Sequence, residues 1–173
     1  MSHQIEQQRF CVFRSGTGWF GLPALSIAQV TTRPQLTPVP GSDSALAGLA
    51  RVRNEFVPAF SFASITMFDE AMTCSEDQLV VINSVAGSWG LLVDQTIDVV
   101  ALETSLSALA NQEDHWSRVS AGSASYKDQV LQVLEPDSLL QYAVSRLEAF
   151  WKSAPVLNAE STFDAQQLIG ELV

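Results

Sequence analysis

The 173 residues carry a formal net charge of −10, with hydrophobic residues at 47% and charged residues at only 16%. So acidic a chain repels phosphate backbones and anionic bilayers, which argues against nucleic-acid binding and against direct insertion into or attachment to a membrane. The charged share lies below the ~25% usual in soluble domains, so neutral and apolar groups must cover much of the surface, as they do in proteins that work by contact.

The first predicted element is a strand over Arg9–Arg14, rich in Phe and Val. Ser15-Gly16-Thr17-Gly18 is a turn signal, and Trp19–Leu22 reads as the returning strand of a hairpin. Pro23 is placed to open a short helix through Gln29, because proline suits the first helical position. Three prolines between Thr31 and Pro40 exclude a long helix there. Ser42–Ala50, small and apolar, reads as one or two helical turns. Glu55–Phe62 alternates as a strand does, with Pro58 suggesting an edge or a bulge. Thr66–Asp77 is polar and reads as a loop.

Gln78–Ser84 is β-branched and predicts a strand; Val85–Ser88 predicts a turn, and Trp89–Val93 and Ile97–Leu102 predict further strands. Ser107–Ser125, rich in Ser, Ala and Gly, reads as irregular, and Gln129–Leu134 as a strand. Asp137–Lys152 is the clearest helix, with Leu140, Ala143, Val144, Leu147 and Trp151 on one stripe and Pro136 at its start. Beyond Pro155 a short helix over Thr162–Leu172 is predicted, with Ala165, Leu168, Ile169 and Leu172 as its apolar stripe.

Many short strands without strand–helix alternation argue for an all-β barrel or sandwich with helical additions. The length fits one domain or two fused subdomains. No run approaches the ~18 apolar residues of a membrane-spanning helix, and Met1–Gln8 is polar, so a soluble cytoplasmic protein is expected. Cys11 and Cys74 stand apart from any ligand-spaced partner and read as reduced thiols.

Motifs for chemistry are sparse. Gly16 to Gly21 matches G-x-G-x-x-G after a predicted strand, the pattern of a dinucleotide-binding enzyme. Trp19 and Phe20, however, are β-prone where that fingerprint needs a first helical turn. Asp43 lies at the distance of the ribose-binding acid, but in a Gly/Ser/Pro segment. His115 is isolated and reads as a loop histidine. No catalytic residue, metal site or cofactor is assigned.

An ordered series of elements resembles the CheW family of chemotaxis coupling proteins. It begins with Phe20-Gly21-Leu22 followed by Leu25, Ile27 and Val30, then Thr37-Pro38-Val39-Pro40. Ala45–Ala50 leads to Arg51-Val52-Arg53-Asn54, where the family shows Asn-Leu-Arg-Gly, and on to Phe56-Val57-Pro58-Ala59-Phe60-Ser61-Phe62. Gly90-Leu91-Leu92-Val93-Asp94, Asp98-Val99-Val100 and Leu131–Leu140 continue the match. Asn54 replaces the family's Gly, Arg51 its Asn and Ser61 its Asp. Asn54 tolerates left-handed backbone, so that turn is expected to survive.

The resemblance implies a mainly β fold of two SH3-like five-stranded barrel subdomains with a C-terminal helix. It would span residues 8–152, with 153–173 as a C-terminal extension. It further implies a non-catalytic scaffold joining the regulatory domain of a CheA-like histidine kinase to the cytoplasmic tip of a chemoreceptor. Arg53 matches the family's partner-binding Arg. Arg51 and Asn54 flank it, and Ile27, Gln29 and Val30 end the segment where the receptor groove begins. Arg33, Arg51 and Arg53 would form a basic spot if they converge. The extension would fold back onto the body or mediate self-association. A dinucleotide enzyme and an unrelated β-barrel module remain the alternatives. A pair of related barrels would separate the scaffold from the latter.

Overall fold

Arg9–Ser15 (β1) and Gly18–Pro23 (β2) form the predicted hairpin, closed by Gly16 at a φ of 58°. Around it the computed structural model describes residues 8–66, 74–105 and 115–154. The chain continues through Ile27–Thr32 (β3), Leu36–Thr37 (β4), Leu46–Val52 (β5), Glu55–Ser61 (β6) and the short helix Phe62–Thr66 (α1). A second hairpin, Gln78–Ser84 (β7) and Gly87–Val93 (β8), precedes Gln95–Ala101 (β9), Thr104–Ser105 (β10), Ser120–Tyr126 (β11) and Gln129–Leu134 (β12). Pro136–Ser153 (α2) follows.

Two sheets result, in the orders β10-β11-β12-β2-β1-β9 and β3-β7-β8-β6-β5-β4. Each has five long strands and one two-residue strand. The first curls strongly. Flat, it would hold β9 and β11 four strand spacings apart, about 19 Å at ~4.8 Å each. Instead the Tyr126 hydroxyl donates to Asp98 Oδ2 at 3.1 Å.

The two sheets are copies of one plan. In each, a hairpin lies between a strand paired antiparallel to its first arm and one paired parallel to its second. β9 and β12 do this for β1-β2, and β3 and β6 do it for β7-β8. The sequence echoes the duplication: Ala47-Gly48-Leu49-Ala50 and Ala121-Gly122-Ser123-Ala124 occupy matching positions. Gly48 at φ 148° and Gly122 at φ 152° both sit at a bulge, a backbone region that other residues rarely adopt. The hairpins are exchanged, however. β1-β2 joins the strands that follow the second hairpin, and β7-β8 joins those that follow the first.

Strand periodicity divides the core three ways. Phe10, Val12, Leu131 and Val133 fill the first sheet's interior, and Ala50, Val57, Leu79 and Leu92 the second's. The alternate residues Phe13, Phe60, Val80, Ile82 and Leu91 meet between the sheets, where Phe20 and Phe62 stack edge-to-face at 4.7 Å. Leu139, Ala143 and Leu147 of α2 cover that shared core. Glu135 caps the helix, its carboxylate accepting from Asp137 N–H at 3.1 Å and Ser138 N–H at 2.7 Å.

Several expectations need correction. Only Ala24–Ser26 is helical after Pro23, as a 3-10 turn, and Ile27 begins a strand. Leu46–Val52 and Ser120–Tyr126 are strands rather than helical turns or irregular chain. Their small residues fit the crowded barrel interiors, which propensity alone does not reveal. Pro58 lies on an internal strand, just ahead of where the parallel ladder starts at Ala59. The buried face of α2 is Leu139, Ala143 and Leu147, whereas Val144 and Trp151 are 38% and 51% exposed. The Thr162–Leu172 stripe lies outside the described residues.

Candidate partner-binding site

The G-x-G-x-x-G segment is a hairpin, not a phosphate loop. Gly16 turns the chain, Gly18 and Gly21 lie on β2, and only the three-residue 3-10 turn Ala24–Ser26 follows. A side chain at Gly21 would come within 3.1 Å of Leu131 Cδ1, so packing between strands accounts for this glycine. The hollow beside the turn is lined by Trp19, Phe20, Phe62 and Val130, with no Lys or Arg among the described lining residues. An anion would find no counter-charge there.

The basic spot does not assemble as expected. Arg33 sits at the end of β3 beside β7's start, where its main-chain N–H donates to Asp77 O at 2.7 Å and its guanidinium lies 4.0 Å from Glu76. Because β3 and β7 are antiparallel, Gln29 and the β7–β8 turn mark the opposite end of the barrel.

At that opposite end lies a groove of about 500 Å³. It is bordered by Gln29, Arg53, Asn54, Asn83 and Ser88 and floored by the buried Val57 and Val81. Gln29 reaches it from β3 after a bulge at Ala28, opposite Val81. Arg53 and Asn54 form the two-residue β5–β6 turn, and Arg53 itself takes the left-handed backbone at φ 56°. The turn thus survives the loss of the family's Gly, but through Arg53 rather than Asn54. Arg53 is exposed and has no carboxylate or aromatic partner among the described residues.

Three of the six candidate residues therefore converge: Gln29, Arg53 and Asn54. The other three lie outside the groove. Arg51 is exposed on β5, paired across the ladder with Phe56, itself 61% exposed. Val30 is 40% exposed on β3, while Ile27 packs against the shared core. Sequence reasoning missed Asn83 and Ser88, which reach the groove only through the pairing of β7 with β8.

Ser61, which replaces the family's Asp, keeps a helix-capping role with help. Its hydroxyl accepts from Ser64 N–H at 3.1 Å and donates to Glu76 Oε1 at 2.7 Å, which also accepts from Ala63 N–H at 3.1 Å. Burial pushes the Glu76 carboxyl above its usual range, against the pull of those bonds and of Arg33. Asp94 ties this corner to the first hairpin, accepting from Glu76 N–H at 2.9 Å and Gly16 N–H at 2.8 Å.

Two related curled sheets share a core, and a groove opens at one barrel end. A family model for the CheW-like domain matches residues 9–144, and the chain belongs to that family of non-catalytic scaffolds. Among solved structures it is similar to the scaffolding protein TtCheW from Thermoanaerobacter tengcongensis. That match has a TM-score of 0.62 at 14% identity and covers 75% of this chain and 89% of that one. The likeness confirms the fold. No curated protein matches the chain. No helix among the described residues is long and apolar enough to cross a membrane.

Proposed function

We propose that this CheW-like scaffolding domain couples the regulatory domain of a CheA-like histidine kinase to the cytoplasmic tip of a chemoreceptor, acting in the cytoplasm. The domain spans residues 8–152, and residues 153–173 form an extension that mediates self-association or folds back. The observation that carries the reading is the convergence of Gln29, Arg53 and Asn54 on one barrel-end groove. A guanidinium without an internal partner beside buried valines offers a charged hydrogen-bonding fork next to an apolar floor, the make-up of an interface hot spot. Arg51 extends the positive edge. Val30 and Ile27 lie along the strand that leads away from it, on the receptor-facing side in this reading.

The test is binding of the full chain to the regulatory domain of a CheA-like histidine kinase and to a chemoreceptor tip. Arg53→Glu is expected to weaken kinase binding at least tenfold with an unchanged melting temperature. Affinity equal to that of the unmodified chain would reject the role of Arg53, and absence of binding to either partner would reject the coupling function.

A further inference from the structure

The duplicated barrels allow one to be compared with the other position by position. Val12 pairs with Asp98 in the first sheet as Val81 pairs with Gln29 in the second. Arg14 pairs with Trp19 as Asn83 pairs with Ser88, and Tyr126 pairs with Gln129 as Val52 pairs with Glu55. The turn residues Lys127 and Asp128 stand where Arg53 and Asn54 stand.

At the first barrel's end this set of positions is filled. The rings of Trp19 and Tyr126 lie 6.1 Å apart, and the Tyr126 hydroxyl donates to Asp98. Arg14 lies over the Trp19 ring at 5.5 Å and Lys127 over the Tyr126 ring at 5.0 Å. At the second barrel's end the two aromatic positions hold Ser88 and Val52, and the groove results. The hydrogen-bonding residue is present as Gln29 and the cation as Arg53. What is missing is the ring between them.

We infer that the groove receives an aromatic side chain from a partner protein, a tyrosine flanked by carboxylates, which completes the second barrel's end as Tyr126 completes the first. The ring lies over Val57 and Val81 and under the Arg53 guanidinium, where a cation favours a π-face. The hydroxyl meets the Gln29 amide, which accepts and donates where Asp98 only accepts. Flanking acids on the partner complement Arg51 and Arg53, two of only nine Lys and Arg residues in the chain, set against Glu55, the single carboxylate among the described lining residues. This inference rests on the coupling reading and specifies the chemistry that its groove recognises.

The blocked tripeptide acetyl-Glu-Tyr-Glu-amide, titrated to millimolar concentration against the isotope-labelled full chain, is the probe. Saturable amide shifts confined to Gln29, Arg53, Asn54, Val81 and Ser88 are expected, with acetyl-Glu-Ala-Glu-amide giving less than a tenth of them. Ser88→Trp should fill the groove from within and abolish the tyrosine-dependent shifts while the remaining spectrum is retained. If that variant does not fold, Gln29→Leu together with Arg53→Ala serves in its place, with the same loss expected. Equal shifts from both peptides, or shifts outside the groove, would overturn the inference. The two readings fail separately. A kinase domain that binds while the tyrosine peptide does not sinks only the aromatic inference. A peptide that binds while kinase and receptor do not sinks the coupling function.

Discussion

The Ser61 hydroxyl and the Glu76 carboxylate meet at 2.7 Å in a buried corner that joins β6, α1 and the strand that begins the second hairpin. Glu76 is 9% exposed, and its backbone takes a φ of 46°. Burial raises its pKa in the folded protein above the usual 4.5, outweighing the hydrogen bonds from Ser61 and Ala63 and the charge of Arg33. In the window between that value and the raised one the folded state holds more protons than the unfolded state, so this group lowers stability as pH rises. Glu76→Gln removes the titration. The stability of the variant relative to the unmodified protein should therefore increase with pH across that window in urea melts at a series of pH values. A constant difference would show that Glu76 titrates normally.

Glu135 behaves in the opposite sense. Partial burial alone would raise its pKa, but the hydrogen bonds from Ser138 and Asp137 outweigh that and lower it. Its contribution is present above the ordinary carboxylate pKa and is lost as pH falls through the lowered folded value. Glu135→Ala should cost about 1 kcal/mol at neutral pH, the size of a lost helix cap. That cost should shrink in acid, as measured by thermal unfolding at the two pH values.

The rotation of α2 is open to a paired measurement. Leu139 is fully buried against the shared core, whereas Val144 is 38% exposed. Leu139→Ala should cost about 2–5 kcal/mol through the lost contacts and the cavity left behind. Val144→Ala should stay within about 0.5 kcal/mol, as surface changes usually do. A larger cost at Val144 than at Leu139 would place the helix in the orientation that the sequence suggested.

Tyr126→Phe removes the hydroxyl that ties β11 to Asp98 on β9. The loss should be about 1.5–3 kcal/mol, typical for a hydrogen bond to a charged acceptor. Chemical denaturation of the two proteins checks it. No loss would mean that the curl of the first sheet does not depend on this bond.

Where the sequence was legible, a strong period or a strong breaker carried the signal. A run rich in Phe and Val announced β1, the β-branched run announced β7, and Pro136 with its downstream stripe announced α2. β3 was hidden in the short helix expected after Pro23, and the other long strands that escaped notice, β5 and β11, are built largely on Ala, Gly and Ser, which have weak β preference. Such residues are chosen there by the space inside a curled sheet, and that space is a tertiary property. α2 was placed correctly and Leu140, Ala143 and Leu147 of its stripe do meet the core, but Leu139 was missed and Val144 and Trp151 were wrongly included, because the apolar residues spread wider than the face that packing selects.

The groove was half legible. Arg53, Asn54 and Gln29 came from resemblance to the family, but nothing in their local sequence says that β3 and the β5–β6 turn meet. That requires the sheet to curl. Phe56 was counted within an alternating pattern, and it is exposed because it points away from the barrel interior that the next residue, Val57, fills.

The exchange of hairpins between the two halves interlocks them. A chain cut between Thr66 and Cys74 would give an amino-terminal piece holding two central strands of the first sheet and a carboxy-terminal piece holding two of the second. Neither piece alone contains a complete barrel, so separately expressed fragments should recover structure only on mixing. In the cell, a nascent chain finishes the second barrel only once β8 has emerged and the first only once β12 has, so β1 and β2, the first strands made, wait for the last ones.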